Sequence, residues 1–246
     1  MIREAVILAA GRGIRLKALG ELQPKGFIEI GGRYIVETSL ERLARAGIEV
    51  VHIVTGHLVH FYEDLASRRP EVRLHHNQRY ARSGSMASLY EVRAALKGEC
   101  LILESDLIYE QRALSLLLGA QTSDVLLVSG KTNSGDEVYA AADNNRLTGL
   151  SKVRAQLADE VIGELVGITR LSPEGLEAMC AYADHAFKET LHVDYEQALV
   201  AASSKVPVLC LKVHDLAWSE IDDENQLIRA RDLVFPQICA NDLLFV

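Results

Sequence analysis

Short apolar runs recur along the chain, separated by stretches in which apolar positions fall at helical spacing. Ala5–Leu8, Val50–Val54, Val72–His75, Leu101–Leu103 and Val125–Val128 read as buried strands. Between them, Ile35–Ala46, Leu58–Ser67 and Met86–Leu96 read as helices. Gly47 directly after Ala46 fits a helix C-terminus, and Pro70 closes the second helical pattern. Alternation of this kind predicts crossover units and a largely parallel sheet. From residue 130 to 170 the pattern changes. Val138–Ala142 and Leu165–Thr169 read as strands of a mixed or antiparallel extension, with a polar turn at Asp143-Asn144-Asn145. Helices return over Pro173–Phe187 and Asp194–Ala202, followed by a strand over Val206–Val213 and a last helix from about Asp222 to Val234. No repeat, low-complexity tract or linker interrupts the series, so the second half reads as a lid built onto the first.

Composition narrows the partners. With 246 residues, 49% of them hydrophobic, the chain can bury one substantial core. Its 34 acidic and 26 basic residues give a net charge of −8, which speaks against a general nucleic-acid or membrane-surface binder. An anionic ligand must then be held by local cations. Cys100, Cys180, Cys210 and Cys239 are too widely spaced for a redox pair or a zinc ribbon and read as reduced, mostly buried thiols. No charged-then-apolar leader and no apolar stretch of bilayer length occurs, so the chain reads as cytoplasmic.

The first strand runs into Leu8-Ala9-Ala10-Gly11-Arg12-Gly13-Ile14-Arg15-Leu16, with Pro24-Lys25 following. Gly11 and Gly13 let the backbone come close to phosphate oxygens, and Arg15 and Lys25 add full positive charge. The string reads as a cradle for a nucleoside triphosphate. A dinucleotide fingerprint needs a small residue where Leu16 stands, and a P-loop needs a Gly-Lys-Ser/Thr that is absent. Open α/β sheets place ligands at the carboxyl ends of their strands. Glu104-Ser105-Asp106 follows one strand-like run, and Ala217-Trp218-Ser219-Glu220-Ile221-Asp222 follows another. Asp106 and Asp222 offer hard oxygen ligands for the Mg2+ that accompanies a triphosphate, and Glu220, two residues before Asp222, adds a third carboxylate or a water-mediated one. The competing structural reading makes Asp222 a helix N-cap and Asp106 a turn residue.

These residues resemble the sugar-phosphate nucleotidyltransferases, whose opening pattern is L-A-A-G-x-G-x-R-L followed by P-K. The resemblance covers nearly the whole chain. It implies a Rossmann-like three-layer α/β fold with a mixed, mostly parallel central sheet and a small substrate-binding lid. In that single nucleotidyltransferase domain of residues 1–246, 1–130 is mainly nucleotide-binding, 131–215 mainly substrate-binding, and 216–246 carries the metal-ligand segment and the C-terminal helix. Asp106 matches the active-site Asp after a central strand, and Asp222 the second metal-binding Asp. Lys152 resembles the lysine that holds the substrate phosphate, although the usual flanking Glu and Pro are absent.

Gly84-Ser85-Met86-Ala87-Ser88-Leu89, shortly after Asn77, is similar to the base-binding segment of the branch containing phosphocholine and 2-aminoethylphosphonate cytidylyltransferases. Leu8, Ala9, Ala10, Gly11, Gly13, Ser85 and Ser88 would then hold the nucleotide, with Ser83 or Ser85 as a helix cap the structural alternative. The implied reaction is in-line attack of a small phosphate or phosphonate on the α-phosphorus of CTP, with loss of pyrophosphate. Arg15 and Lys25 are the residues expected to stabilise its charge.

For a cationic amine on the second substrate, Asp194, Glu196 and Glu164 offer carboxylates and Trp218 an aromatic wall. Asp194, Glu196 and the serine-containing base segment point to an amine-bearing acceptor, with 2-aminoethylphosphonate ahead of phosphocholine. The alternatives are a sugar- or inositol-phosphate nucleotidyltransferase and, in a different class, an inactive nucleotide sensor. His57, His60, His75 and His76 lack zinc spacing and read as structural or solvent-facing. The apolar segments Ile238-Cys239-Ala240 and Leu243–Val246 leave open docking on the same chain or on a second copy as a homodimer.

Overall fold

A computed structural model describes residues 2–244. In chain order the elements are β1 (Glu4–Ala9), α1 (Ala18–Leu22), β2 (Glu29–Ile30), β3 (Arg33–Tyr34), α2 (Ile35–Arg45), β4 (Val50–Thr55), α3 (Val59–Arg68) and β5 (Val72–His76). Then come α4 (Ser85–Val92), β6 (Cys100–Glu104), β7 (Leu107–Tyr109), α5 (Arg112–Leu118), β8 (Val125–Ser129), β9 (Tyr139–Asp143), β10 (Arg146–Ser151) and β11 (Val161–Leu171). The chain continues through α6 (Pro173–Ala186), α7 (Tyr195–Ser203), β12 (Leu209–Val213), β13 (Trp218–Glu220), α8 (Glu224–Arg229) and α9 (Phe235–Leu244).

Nine strands form one mixed sheet in the order β5-β4-β1-β6-β11-β8-β12-β10-β9, and β9 also pairs with β11. β5, β4, β1 and β6 are parallel, as the helical crossovers require. β11 runs antiparallel to both of its neighbours β6 and β8. The strands are apolar on both faces because both are covered. Ile7, Ile53, Leu101 and Leu103 meet α2, α3 and α5 on one side. Val6, Leu8, Val54 and Ile102 meet α4, α6 and α7 on the other. This is the three-layer arrangement the resemblance implies. β9 and β10 extend the same sheet.

A third apolar cluster joins Leu16, Ile28, Ile30 and Ile35 to Ala217, Ile221, Ala230, Val234 and Ile238. It docks the C-terminal segment under the loop that follows β1. Without that packing, residues 15–25 and 220–222 would have no reason to meet. Strand β12 starts later than the apolar run predicts because Pro207 has no N–H for the ladder. The last helix is interrupted by a π turn over Ala230–Val234 before α9. Leu243 and Leu244 lie exposed at the end of α9, while Phe245 and Val246 fall outside the described residues. Among the described residues no helix is long and apolar enough to cross a membrane.

Candidate active site

Register places the glycine loop beside the acidic strand end. β1 pairs with β6 so that Leu8 stands opposite Glu104, and the segments leaving both strands open on one side of the sheet. Gly13 sits at φ +61°, a left-handed conformation that favours glycine, and its carbonyl accepts the Leu16 N–H at 3.0 Å. A Cβ on Gly20 would run into that carbonyl, so a second glycine lets α1 close against the loop. Leu8, Ala9, Ala10 and Gly11 then line a cavity of about 180 Å3 together with Ser83, Gly84, Ser85, Ser88, Lys25 and Asp106.

The serine wall is fixed by neighbours. Asn77 Nδ2 donates to Ser83 Oγ at 3.0 Å and to Ser88 Oγ at 3.1 Å. Gly84 is the N-cap of α4, and no side chain caps that helix. Ser85 Oγ instead accepts the Tyr195 N–H at 2.8 Å, while Gly84 N–H donates to Leu191 O at 2.8 Å and Met86 N–H to Val193 O at 3.0 Å. Asp194, one of the acids considered for an amine, is the N-cap of α7 and forms a capping box with Gln197. Its carboxylate also accepts from Ser85 at 3.4–3.5 Å, at the seam between α4 and α7.

The two predicted cations and the two predicted aspartates do meet. Lys25 Nζ lies 2.7 Å from Asp106 Oδ2 and also binds Asp222, which in turn binds Arg15. Arg15 reaches on to Asp136, and Lys152 Nζ holds the other oxygen of Asp136 at 2.8 Å. The result is an alternating chain, Asp106, Lys25, Asp222, Arg15, Asp136, Lys152, running from that cavity towards β10. Asp222 does not cap the following helix. Asp223 does, accepting the Gln226 N–H at 2.9 Å, while Asp222 N–H donates to Gln226 Oε1 at 2.7 Å.

The tightest group of carboxylates is Glu104, Asp106 and Glu220, whose oxygens all lie within 4.8 Å of one another. Burial, the charges of Glu104 and Asp106, and the hydrogen bond to Asp222 push the Glu220 carboxyl up. Burial likewise raises Asp222, but the Glu220 hydrogen bond and the nearby Lys25 and Arg15 outweigh it and hold that carboxylate low. Burial, then Glu196 and Asp106, push Glu104 up. Burial and neighbouring Asp194 push up Glu196.

A second, smaller cavity of about 60 Å3 adjoins the first, with Glu104 and Glu196 lining both. Lys152, Glu164, Asp136, Trp218, Glu220 and Arg229 face it. Glu164 is buried and accepts the Thr132 N–H at 2.8 Å, which ties down the loop after β8. Buried Thr132 Oγ1, Glu196 Oε2 and Trp218 Nε1 have no protein partner, and all three residues line one of these cavities. Polar groups left this way at a cavity are matched to a ligand more economically than to the fold.

Several of these residues escaped the sequence reading. Glu104 had a signal: it stands two positions before Asp106 at a strand end, where side chains alternate. Gly167 had one too, as a lone glycine in a strand pattern; at φ +79° it sits at an irregularity in β11, with the Glu104 carboxylate packed against it. Asp136 and Arg229 come from a polar loop and an ordinary amphipathic helix, and nothing in their spacing marks them.

Residues 5–206 match the family model of the MobA-like NTP transferase domain. The chain belongs to this family. A 2-aminoethylphosphonate cytidylyltransferase of Lancefieldella rimae is 26% identical over 196 residues, covering 76% of this chain and 74% of that one. Among solved structures, the CTP:phosphocholine cytidylyltransferase of Streptococcus pneumoniae superposes with a TM-score of 0.78 at 19% identity, over 95% of this chain and 99% of that one. The inositol-1-phosphate CTP transferase of T. maritima gives a TM-score of 0.80 at 18% identity, over 97% and 95%. Both superpositions establish the nucleotidyltransferase fold. The NTP transferase match ends before β13, and Glu220 and Asp222 lie in the C-terminal segment beyond it, which packs through Ala217 and Ile221 against Leu16 and Ile28.

Proposed function

We propose that the protein is a Mg2+-dependent cytidylyltransferase that joins CMP from CTP to a small phosphonate or phosphate bearing a cationic amine, 2-aminoethylphosphonate ahead of phosphocholine, with release of pyrophosphate. The observation that carries this reading is the pair of adjoining cavities sharing Glu104 and Glu196, beside Lys25, Asp106 and Asp222. The family match and the cytidylyltransferase relatives support it.

The carboxylate group fits Mg2+. It offers hard oxygens, and burial together with the neighbouring carboxylates pushes Glu104 and Glu220 up, a charge crowding that a divalent cation would relieve. Glu104, Asp106, Glu220 and Asp222 are the residues that would hold it, and it would neutralise phosphate charge and orient both substrates there. The protein's own groups do the rest. Gly11 and the residues before it present backbone to the triphosphate. Ser85 and Ser88 face the base. Lys25 and Arg15 exchange their carboxylate partners for phosphate oxygens and stabilise the charge that grows on the departing pyrophosphate. Lys152 takes the acceptor's phosphonate, and Glu196, Glu164 and Trp218 surround its amine. A phosphonate oxygen is anionic near neutral pH, so the acceleration rests on orientation and charge, with little left for a general base.

A matrix of the four nucleoside triphosphates against amine-bearing and sugar or inositol phosphates, read by conjugate mass and pyrophosphate release, tests the assignment. CTP with 2-aminoethylphosphonate giving the largest yield is the expected result. Preference for a sugar or inositol phosphate overturns the acceptor, and tight CTP binding without pyrophosphate from any pair favours the sensor.

A further inference from the structure

Tyr62, on α3, is fully buried, yet it is among the residues lining the nucleotide cavity. The ring packs edge-on against Phe27, with centroids 5.1 Å apart, which fixes the direction of the hydroxyl. That hydroxyl points at the backbone beside Lys25: a Cβ added to Gly26 would stand 2.9 Å from Tyr62 Oη and 3.5 Å from the Ser105 carbonyl. Glycine at position 26 thus leaves room for the phenol to come up under the residues that carry Lys25 and Asp106. Tyr62 Oη meets no hydrogen-bond partner from the protein. A buried hydroxyl left this way costs stability, so its presence at the cavity calls for a role.

The role follows from what Lys25 must do. In the free protein Asp106 Oδ2 is held by Lys25, which is shared with Asp222. When a triphosphate enters, Lys25 turns to it, and Asp106 gives up the hydrogen bond that orients it while it takes up the metal. We propose that Tyr62 is a positioning residue whose hydroxyl takes over Asp106 when Lys25 engages the nucleotide, keeping that carboxylate aimed at the junction of the two cavities. This rests on the nucleotidyltransferase reading of the site. Phenol donation to a carboxylate needs no further reactant and leaves both groups in their ordinary charge states.

Tyr62→Phe keeps the ring against Phe27 and removes only the donor. The expected result is a melting temperature equal to or above that of the parent, an unchanged KM for CTP, and a kcat lower by roughly tenfold or more, the effect of one hydrogen bond to a charged group. The Mg2+ concentration giving half-maximal thermal stabilisation in the presence of a non-hydrolysable CTP analogue should rise in parallel, a readout independent of turnover. Equal kcat and equal Mg2+ dependence in parent and variant would overturn the proposal. So would a melting temperature lowered by more than about 5 °C, since the hydroxyl would then be a structural bond of the folded state. Failure of the nucleotidyltransferase reading looks different, because the parent protein itself would release no pyrophosphate from any substrate pair.

Discussion

Replacing Lys25 with methionine tests the centre of the site. The side chain of Lys25 is 18% exposed, that of Asp106 9% and that of Asp222 3%, so these charges interact with little screening by water. Burial alone would push the Lys25 ammonium down, yet Asp106 and Asp222 outweigh it and hold the group charged far above neutral pH. Removing one partner of a buried ion pair costs about 3–5 kcal/mol, mostly as the penalty of the charge left behind. Asp222 keeps Arg15, so the uncompensated charge falls on Asp106 and the lower figure applies. For a chain of this length, about 3 kcal/mol corresponds to a fall of roughly 6–12 °C in melting temperature. The methionine preserves the bulk of the stem, which excludes a cavity as the cause. Differential scanning calorimetry without Mg2+ measures the loss, and repeating it with Mg2+ should recover part of it, because the cation supplies charge to the same carboxylates. In the pyrophosphate assay kcat/KM should fall about 10²–10³-fold, the usual effect of losing one charge-stabilising donor. A variant that melts within 2 °C of the parent and turns over normally would refute the reasoning.

Other consequences can be checked with single variants or titrations. Glu220→Gln should melt no lower than the parent without Mg2+, since burial and neighbouring acids already disfavour the charged carboxylate, but should lose most of the stabilisation that Mg2+ gives; calorimetry with and without the ion decides. The folded protein holds Glu104 and Glu220 protonated above the ordinary carboxylate range, so without Mg2+ their contribution weakens as pH rises beyond about 4.5, and the Mg2+-induced shift in melting temperature should grow with pH. Away from the site, burial lowers both His52 and His75, which share a hydrogen bond of 2.9 Å on β4 and β5. Their contribution is complete above about pH 6.5 and is lost as pH falls below it; His75→Gln should flatten that part of the denaturation profile. Gly84→Ala would drive a Cβ into the Val193 carbonyl, separating the serine wall from α7, and should raise KM for CTP while leaving the β1 loop intact.

The sequence carried the scaffold well for an identifiable reason. Strands covered on both faces, such as β1, β4 and β6, are continuous apolar runs, and their helices keep a single apolar stripe, so both periods stand out. β10 does not stand out: it is largely polar and takes a register shift at Gly149, and only its neighbours make it a strand. The site divides the same way. That Arg15, Lys25, Asp106 and Asp222 belong to one place was legible because strand ends and glycine loops have a fixed place in an open sheet, and their side chains do meet. Their connectivity was not, since it depends on the packing of Ile221 and Val234 against Leu16 and Ile28, some 200 residues apart in sequence. Asp194 and Ser85 show what the sequence could not: both also join α4 to α7, Asp194 as the N-cap of α7 and Ser85 by accepting the Tyr195 N–H. Their neighbour Glu196, by contrast, keeps a buried carboxylate oxygen without a protein partner where the two cavities meet.

Catalysis as proposed requires a divalent cation bound between the two cavities. Mn2+ soaked with a non-hydrolysable CTP analogue and located by anomalous scattering measures this directly. The predicted result is a peak among Glu104, Asp106, Glu220 and Asp222, at the boundary between the cavities. A peak elsewhere, or none there in crystals whose dissolved protein releases pyrophosphate from CTP, would contradict it.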